Sequence, residues 1–422
     1  MTTRQEPSRP PSAAHRPWLV RPQLWALLLL GLTLRLAAAV VLADQGANLT
    51  DAAQYRNAAS QLLHGGFIIY PYFMPLYPAM IALTGPGWGQ LFADILLSTG
   101  LIWLIHELAL ALFADAAIAF LAAAGVAIYP QFIFFAVVGL SESLFMALFV
   151  GAFLCWYRGR FVAAAVLAVL SILTRPAIDL LAPLLVLYFA LVIHRLPIAN
   201  ATRQVAVYAL IYCALMAPWW WHNVHFRHHF IRLSLGGGEN FYGGNNPMNK
   251  SGGGIKGVDY SIDGFKDITD PVAHDRALWN AGFAFIRDNP GRFVEFAGIK
   301  FLRFWRLWPF TDAYSSPLII LIYVIGYVPV FLLSLVYLAG WGIADFMRIA
   351  PMLAFAAYLT LVNMVFVASL RYRLPIEPFM IVLAATAVVR LAGRWPTGQA
   401  LLARLGASRQ PTPVLTEENH AR

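Results

Sequence analysis

The sequence predicts an all-α polytopic membrane protein with about ten transmembrane helices and two outer-face loops that contain amphipathic helices. Of its 422 residues, 60% are hydrophobic and only 12% are charged, and the mean hydropathy is +0.65. Soluble domains carry about 25% charged residues, so a soluble enzyme and a disordered chain are both excluded. The formal charge of +9 is attributed to cytoplasmic loops, and no nucleic-acid partner is expected.

Long apolar runs are the second observation, because a helix that crosses a bilayer needs about 20 apolar residues. The boundaries are least sharply defined in the stretch 161–194. It divides into two short helices at Arg175-Pro176, because proline cannot continue a helical hydrogen-bond ladder. The predicted spans are 24–43, 88–112, 116–138, 141–157, 161–175, 177–194, 204–221, 316–340, 350–368 and 378–393.

The distribution of Lys and Arg predicts the orientation, because these residues favour cytoplasmic loops. With a cytoplasmic N-terminus, the inner segments carry 14 Lys and Arg and the short outer segments carry 4. Both termini are therefore expected in the cytoplasm. The predicted organisation is a disordered cytoplasmic tail (1–23), an N-terminal transmembrane module (24–221) with a first outer loop (44–87), a long outer loop (222–315), a C-terminal transmembrane module (316–393) and a cytoplasmic tail (394–422).

Both outer loops contain helical patterns. In the first loop, residues 51–63 have apolar residues at helical spacing. The long loop begins with a stretch rich in Gly and Asn (236–247) and ends in two amphipathic stretches, 272–288 and 290–307. The second of these mixes basic and aromatic residues, a composition typical of a helix in the headgroup plane.

Unusual polar residues gather at the outer ends of the predicted spans. They come from five separate segments, which predicts an active site facing away from the cytoplasm. The candidate residues are Asp51, Tyr55, Glu142, Arg175, Asn245, Asn246, Arg371 and Arg373.

Each candidate also has a purely structural explanation. Asp51 can cap a helix, Glu142 can favour a helix N-terminus, and Arg175 can extend to the headgroups. The asparagines 245 and 246 can belong to a tight turn or to a sugar-contacting loop. Arg371 and Arg373 are the most telling, because two arginines on a short outer segment oppose the positive-inside tendency and suit an anionic ligand.

Two further ionisable residues lie at similar depths within predicted spans, Arg35 and Asp94. We expect them to form a structural ion pair rather than to take part in catalysis.

On the basis of these residues and the motifs around them, the chain resembles the GT-C superfamily of glycosyltransferases that use polyprenyl-phosphate sugars. It is most similar to the bacterial branch related to protein O-mannosyltransferases and to the aminoarabinose transferase acting on lipid A. The matching motifs are Asp51-Ala-Ala-Gln-Tyr55, Tyr70-Pro-Tyr-Phe-Met-Pro-Leu-Tyr-Pro78, Tyr129-Pro130, Ser141-Glu142, Thr174-Arg-Pro176, Pro218-Trp219 with Asn223, Gly238-Glu-Asn-Phe-Tyr-Gly-Gly-Asn-Asn-Pro247 and Arg371-Tyr-Arg-Leu-Pro-Ile-Glu-Pro378.

The resemblance implies a bacterial inner-membrane enzyme that moves a sugar from a polyprenyl-phosphate donor to a lipid, glycan or protein acceptor on the periplasmic face. Asp51 would be the general base and Glu142 would position an arginine or the acceptor. Tyr55, Asn245 and Asn246 would bind substrate, while Arg371, Arg373 and, more weakly, Arg175 would hold the lipid phosphate. A single displacement with inversion is expected.

Two departures from the family pattern leave metal use and the acceptor open. Relatives often have paired acidic residues in the first loop, whereas Asp51 is followed by Ala52, and relatives with thirteen spans carry a separate soluble domain that is not expected here. The sequence has no cluster of His and Cys residues that would predict a tight metal site. Any divalent cation would therefore be weakly held near Asp51.

The rival interpretations are a transporter or lipid flippase, a lipid-linked polymer ligase, and a noncatalytic assembly factor. Transporters favour internal repeats and broken helices near the midplane. Neither an internal repeat nor a midplane site is evident in the sequence, whereas polar groups gather at the outer face.

Overall fold

Every regular element that the described residues form is helical. The computed structural model describes residues 22–47, 49–66, 68, 71–249, 251–252, 264–265, 267–309 and 316–404. Its α-helices are α1 (Pro22–Ala47), α2 (Thr50–Gly65), α3 (Leu76–Thr84), α4 (Trp88–Phe113), α5 (Ala116–Ile128), α6 (Pro130–Phe135), α7 (Glu142–Tyr157), α8 (Phe161–Thr174), α9 (Ala182–Tyr188), α10 (Ile198–Arg227), α11 (Gly236–Gly244), α12 (Pro271–Asp288), α13 (Pro290–Phe304), α14 (Pro317–Trp341), α15 (Phe346–Val365), α16 (Leu370–Arg373), α17 (Glu377–Ala392) and α18 (Pro396–Arg404).

Among the described residues, six helical stretches are long and apolar enough to cross a membrane: Pro22–Leu42, Trp88–Phe113, Ile198–Arg227, Pro317–Trp341, Phe346–Val365 and Leu370–Ala392. Four shorter apolar helices complete the set, at Ala116–Ile128, Glu142–Tyr157, Phe161–Thr174 and Ala182–Ile193. All ten correspond to predicted spans, and the predicted all-α polytopic membrane class is confirmed. The four short helices do not reach the roughly 20 residues of a full span.

Prolines divide two of the predicted apolar stretches. The stretch 116–138 is not one span, because α5 ends at Ile128 and α6 begins at Pro130. Between them Tyr129 is extended, with φ −68° and ψ 115°, as expected of a residue that precedes proline. The stretch 161–194 is likewise broken at Arg175, which is extended before Pro176.

The interior of the bundle is built around α7 and α17. Phe145, Phe149 and Phe153 of α7 are fully buried, and Phe149 and Phe153 pack on the ring of Phe379 in α17. By contrast, only 11% of the apolar window in α14 is buried. An apolar helix that the protein leaves uncovered is typical of a lipid-facing position.

The predicted ion pair between Arg35 and Asp94 is wrong. The buried Arg35 guanidinium donates from Nε to Ser98 Oγ (2.8 Å) and from Nη1 to the carbonyl of Gly31 (3.0 Å). Asp94 instead accepts a hydrogen bond of 2.6 Å from the hydroxyl of Tyr77. Arg35 is therefore satisfied by a hydroxyl and helix carbonyls, whereas Asp94 has a partner for Oδ2 and none for the buried Oδ1. These partners depend on which neighbouring helix each side chain faces.

Helices occupy both predicted outer loops. The stretch expected at 51–63 is α2, and those expected at 272–288 and 290–307 are α12 and α13. The side chain of Asp270 caps α12 by accepting from the amide of Ala273 at 2.8 Å, and a proline begins each of these two helices, where its missing N–H costs nothing.

Parts of three predictions lie outside the described residues. These are the N-terminal tail up to residue 21, the C-terminal tail from residue 405, and Tyr70 in the motif that closes the first loop. Within the predicted C-terminal tail 394–422, the described part is helical at Pro396–Arg404.

Candidate active site

Arg371 joins two carboxylates from distant parts of the chain. Its Nη1 lies 2.5 Å from Asp51 Oδ2, and its Nε donates to Glu142 Oε1. The same Glu142 oxygen accepts from Nη1 of Arg175 at 2.5 Å. We call these four residues, Asp51, Glu142, Arg175 and Arg371, the acid–guanidinium cluster.

The local sequence explains how each member is presented. Asp51 lies in the first turn of α2 and Glu142 begins α7, positions where acidic side chains are favoured by the helix dipole. Arg175 follows the end of α8, because Pro176 stops the helix. Arg371 belongs to the short α16, which Ser369 caps by accepting from the amide of Arg371.

Tyr55 and Ser141 are connected to the acid–guanidinium cluster by hydrogen bonds. The hydroxyl of Tyr55 lies 3.0 Å from Ser141 Oγ, and Arg175 Nη1 donates to the same Ser141 oxygen at 3.4 Å. Burial raises the pKa of Tyr55 above its ordinary value, so the phenol stays neutral. Ser141 is not among the predicted site residues, although its position directly before Glu142 was a signal.

Exposure differs sharply between the two acids. The side chain of Glu142 is 1% exposed, whereas that of Asp51 is 41% exposed. Glu142 therefore anchors both guanidinium groups from inside, while Asp51 is accessible from solvent.

The cluster contains two carboxylates and two guanidinium groups, so its formal charges balance. In the part of the chain that the structure describes, the contacts of Arg371 use Nε and Nη1, and those of Arg175 use Nη1. The remaining N–H groups are the donors that an anion could engage. Such a site can hold an anion and a nucleophile near one accessible carboxylate.

Arg373 does not join this cluster. Its buried guanidinium donates from Nε to Glu377 at 3.1 Å and from Nη1 to the carbonyls of Phe304 (3.0 Å) and Arg306 (2.9 Å). Nη2 donates to the hydroxyl of Tyr323. These contacts occupy the guanidinium within the protein, and they favour an internal structural role for Arg373 over the predicted phosphate contact.

Asn245 and Asn246 are also fully buried and lie at the end of α11. Asn245 donates to the carbonyls of Phe241 (2.8 Å) and Val365 (2.7 Å). Asn246 Oδ1 accepts from the amides of Met248 and Asn249, each at 2.9 Å. Both amide groups stabilise the end of this helix and the turn after it, as the structural explanation predicts, while a contact of either asparagine with substrate stays a prediction. The preceding glycine-rich stretch is helical rather than a turn.

Lys300 is a second residue that the sequence analysis missed. It is fully buried and donates to Asn245 Oδ1 (3.1 Å) and to the carbonyl of Val365 (3.2 Å). Burial lowers its pKa to about 7. A signal was present, since Lys300 lies four residues from both Phe296 and Phe304, which are also buried and share its face of α13.

Metal ligands are sparse around the cluster. Among the described residues, no group of three His, Cys, Asp or Glu side chains is arranged to hold a metal ion. Asp51 and Glu142 are instead joined through Arg371.

Sequence comparisons find no match to this chain, whereas structural comparison finds solved structures that are similar to it. No protein-family model and no curated protein matches the chain. The apo oligosaccharyltransferase of Archaeoglobus fulgidus superposes with a TM-score of 0.55 at 12% identity, covering 94% of this chain and 54% of that one. The oligosaccharyltransferase AglB from the same organism, in complex with an inhibitory peptide and a dolichol-phosphate, gives a TM-score of 0.53 at 14% identity, covering 94% and 53%.

The chain thus spans about half the length of these two structures. The similarity extends over nearly all of this chain, so it concerns the whole arrangement of membrane helices and not one helical hairpin. At this level of sequence identity it establishes the fold. The protein described here is a polytopic membrane protein with the fold of the archaeal oligosaccharyltransferases, which confirms at the level of the fold the resemblance to GT-C glycosyltransferases.

Proposed function

We propose that this protein is a membrane glycosyltransferase that moves a sugar from a polyprenyl-phosphate donor to an acceptor. The contact of Arg371 with both Asp51 and Glu142 carries the proposal, because it places an accessible carboxylate beside a guanidinium that can hold phosphate. AglB, whose fold is similar, has been determined with a dolichol-phosphate, and a lipid phosphate is the donor chemistry we infer for this chain.

Asp51 is the proposed general base. With Oδ2 held by Arg371 at 2.5 Å, the carboxylate has a fixed direction and a second oxygen with which to accept a proton. The acceptor hydroxyl would lose its proton to Asp51 as its oxygen bonds to the anomeric carbon. The bond from that carbon to the phosphate oxygen breaks, and the lipid phosphate leaves. One base opposite one leaving group gives inversion.

Arg371 and Arg175 are proposed to hold the departing phosphate. Guanidinium groups bind phosphate through paired N–H donors, and charge that develops on the leaving oxygen is stabilised when donors are already in place. Glu142 keeps the two arginines together through its shared oxygen. Its role is positioning, as is that of Tyr55, which contacts the cluster through Ser141.

The remaining expectations belong to the same proposal. We place the enzyme in a bacterial inner membrane, with both termini cytoplasmic and the cluster at the periplasmic side, because Lys and Arg are more frequent on the opposite loops. The acceptor is a lipid, glycan or protein, and nucleic acid is not a partner.

In addition to the roles of these residues, we propose that a divalent cation binds weakly near Asp51. Inclusion of a chelator tests it. Loss of transfer that added Mg²⁺ or Mn²⁺ restores would support the cation, and full transfer after chelation would overturn it.

The decisive experiment uses the full chain in lipid nanodiscs with a radiolabelled polyprenyl-phosphate hexose and a mixture of lipid, glycan and peptide acceptors. We expect release of polyprenyl phosphate together with labelled acceptor. Movement of intact donor between leaflets of a liposome, without release of polyprenyl phosphate, would overturn the proposal in favour of the flippase alternative. Binding of donor with neither release nor movement would favour an assembly factor.

A further inference from the structure

A cavity lies along α2, the helix that also contains Asp51, and its lining differs in chemistry from the acid–guanidinium cluster. It has a volume of about 180 Å³ and is lined by Gln54, Asn57 and Gln61 of α2 together with Tyr72 and Phe73. We call it the amide pocket. None of the described residues that line it is charged, which separates it from the arginines proposed to hold phosphate.

The amide pocket and Asp51 share one side of α2. Gln54 lies three residues after Asp51, and Gln61 lies seven residues after Gln54, spacings that keep side chains on one helix face. Asp51 therefore lies on the same side of α2 as the amides that line the pocket.

A chain of contacts joins the pocket wall to the cluster. The ring of Phe73 packs on that of Tyr55, with the centroids 4.2 Å apart, and Tyr55 in turn contacts Ser141 at 3.0 Å. A ligand bound against Phe73 would therefore be separated from Glu142 by Tyr55 and Ser141.

Neighbouring elements hold this wall in place. The amide of Ile68, another lining residue, donates to His222 Nε2 of α10 at 3.0 Å. The carbonyl of Pro71, next to Tyr72, accepts from the amide of Leu235 at 2.9 Å. Contacts to two separate parts of the chain indicate that the pocket is formed before a ligand arrives, as most small-molecule sites are.

We propose that the amide pocket is a subsite for a neutral, hydroxyl-rich sugar residue. The exposed carboxamides of Gln54 and Asn57 each offer both donors and an acceptor, which match hydroxyl groups that also donate and accept. The aromatic rings of Tyr72 and Phe73 provide apolar surface for the C–H faces of a pyranose ring. A phosphate or carboxylate would find no cation in this lining.

This inference rests on the proposed function for its reaction, since the bound sugar is either that of the donor or a sugar of a glycan acceptor. Both sources present the same hydroxyl-rich chemistry to the pocket. Because Asp51 lies on the same side of α2 as the amides that line the pocket, the proposed base is on the side of the helix where the sugar would bind in either case.

The first test compares two ligands that differ only in the sugar. Binding of polyprenyl phosphate and of polyprenyl-phosphate hexose is measured on the full chain in nanodiscs, without turnover. The double substitution Gln54→Ala and Asn57→Ala should weaken binding of the hexose-bearing lipid about tenfold or more, as expected for two lost hydrogen bonds, while binding of polyprenyl phosphate stays unchanged. This result identifies the donor sugar as the occupant.

The second test addresses a glycan acceptor. Saturation-transfer NMR measures contact of neutral methyl hexosides with the same samples, and the double variant should lose the signal. Gln399→Ala is the matched control, since Gln399 is an exposed glutamine on α18. Gln54 and Asn57 are themselves exposed, so the double variant should remain folded, which its melting temperature checks.

The inference is overturned when the double variant changes neither the hexose contribution to lipid binding nor the saturation-transfer signal. It is also overturned when binding of polyprenyl phosphate falls as much as binding of the hexose lipid. Because both tests measure binding, they remain informative for a protein that transfers no sugar, and an absence of transfer would count against the proposed function alone.

Discussion

Asp51 and Arg371 lie 320 positions apart in the chain, yet Asp51 Oδ2 and Arg371 Nη1 are 2.5 Å apart. The pair connects α2, in the first predicted outer loop, with α16, the short helix before α17. Because Arg371 also donates to Glu142, the orientation of the exposed acid depends on a buried one.

Replacing Asp51 by Asn should abolish sugar transfer while leaving the fold intact. The amide is nearly isosteric but cannot accept the proton, and general-base catalysis contributes about 10²–10⁴-fold to rate. The measurement is the rate of polyprenyl phosphate release in nanodiscs. Asp288→Asn is the control, since Asp288 is an exposed acid in the long loop; near-normal turnover by the Asp51 variant would remove Asp51 from the base role.

Replacing Arg371 by Lys should weaken donor binding tenfold or more, seen in KM for the donor and in the dissociation constant of polyprenyl phosphate. Lysine keeps the charge but loses the planar fork of donors, so it cannot reach Asp51, Glu142 and a phosphate together. Arg292→Lys, at an exposed arginine that pairs with Glu295, is the matched control. Unaltered donor dependence would reject the phosphate assignment.

The two acids of the cluster should differ in their effect on stability. Glu142→Ala should cost about 3–5 kcal/mol, because it leaves two guanidinium groups without their buried partner. Asp51→Ala should cost no more than about 1 kcal/mol, since this side chain is 41% exposed. Melting temperatures in detergent compare the two variants, and equal losses would contradict the anchoring role of Glu142.

Lys300 should make stability depend on pH. Burial lowers its pKa from 10.5 to about 7, so between these pH values the unfolded chain binds a proton that the folded chain does not. Stability should therefore rise with pH from about 7 to 10.5, with a slope of up to ~1.4 kcal/mol per pH unit, and this gain is lost as pH falls back to 7.

The corresponding measurement is denaturant unfolding as a function of pH for the unmodified protein and Lys300→Met. The variant should lack this part of the slope, whereas Arg292→Met, which removes an exposed charge, should keep it. Identical slopes for the unmodified protein and Lys300→Met would show that the lysine does not titrate in this range.

Arg373→Met should lower stability and leave donor affinity within about threefold, because its guanidinium contacts Glu377, two carbonyls and Tyr323. The double variant Arg373→Met with Glu377→Leu should recover part of the loss, since removing both members of a buried pair costs less than removing one. A donor dissociation constant raised tenfold in a variant of normal stability would return Arg373 to phosphate binding.

Hydrophobic patterning alone determined most of the helices. Runs of apolar residues predicted the position of every long helix, and the periodicity of residues 51–63 predicted α2. The breaks beside Pro130 and Pro176 follow from the missing N–H of proline and its effect on the preceding residue, although only the second was anticipated. These features depend on neighbours within one or two turns, which a single sequence displays.

Tertiary structure decided which polar groups meet. Arg371 and Arg373 look equivalent in the sequence, but residues two apart on a helix point about 200° from each other, so one faces Asp51 and the other faces Glu377. Asn245, which follows α11, and Lys300 of α13 are likewise joined by a hydrogen bond between residues 55 positions apart. The sequence by itself determined that the protein is a helical membrane protein with polar groups gathered at the ends of its spans. Only the fold decided which of them form an accessible cluster and which are internal, because contacts across hundreds of positions depend on how the helices pack and not on local pattern.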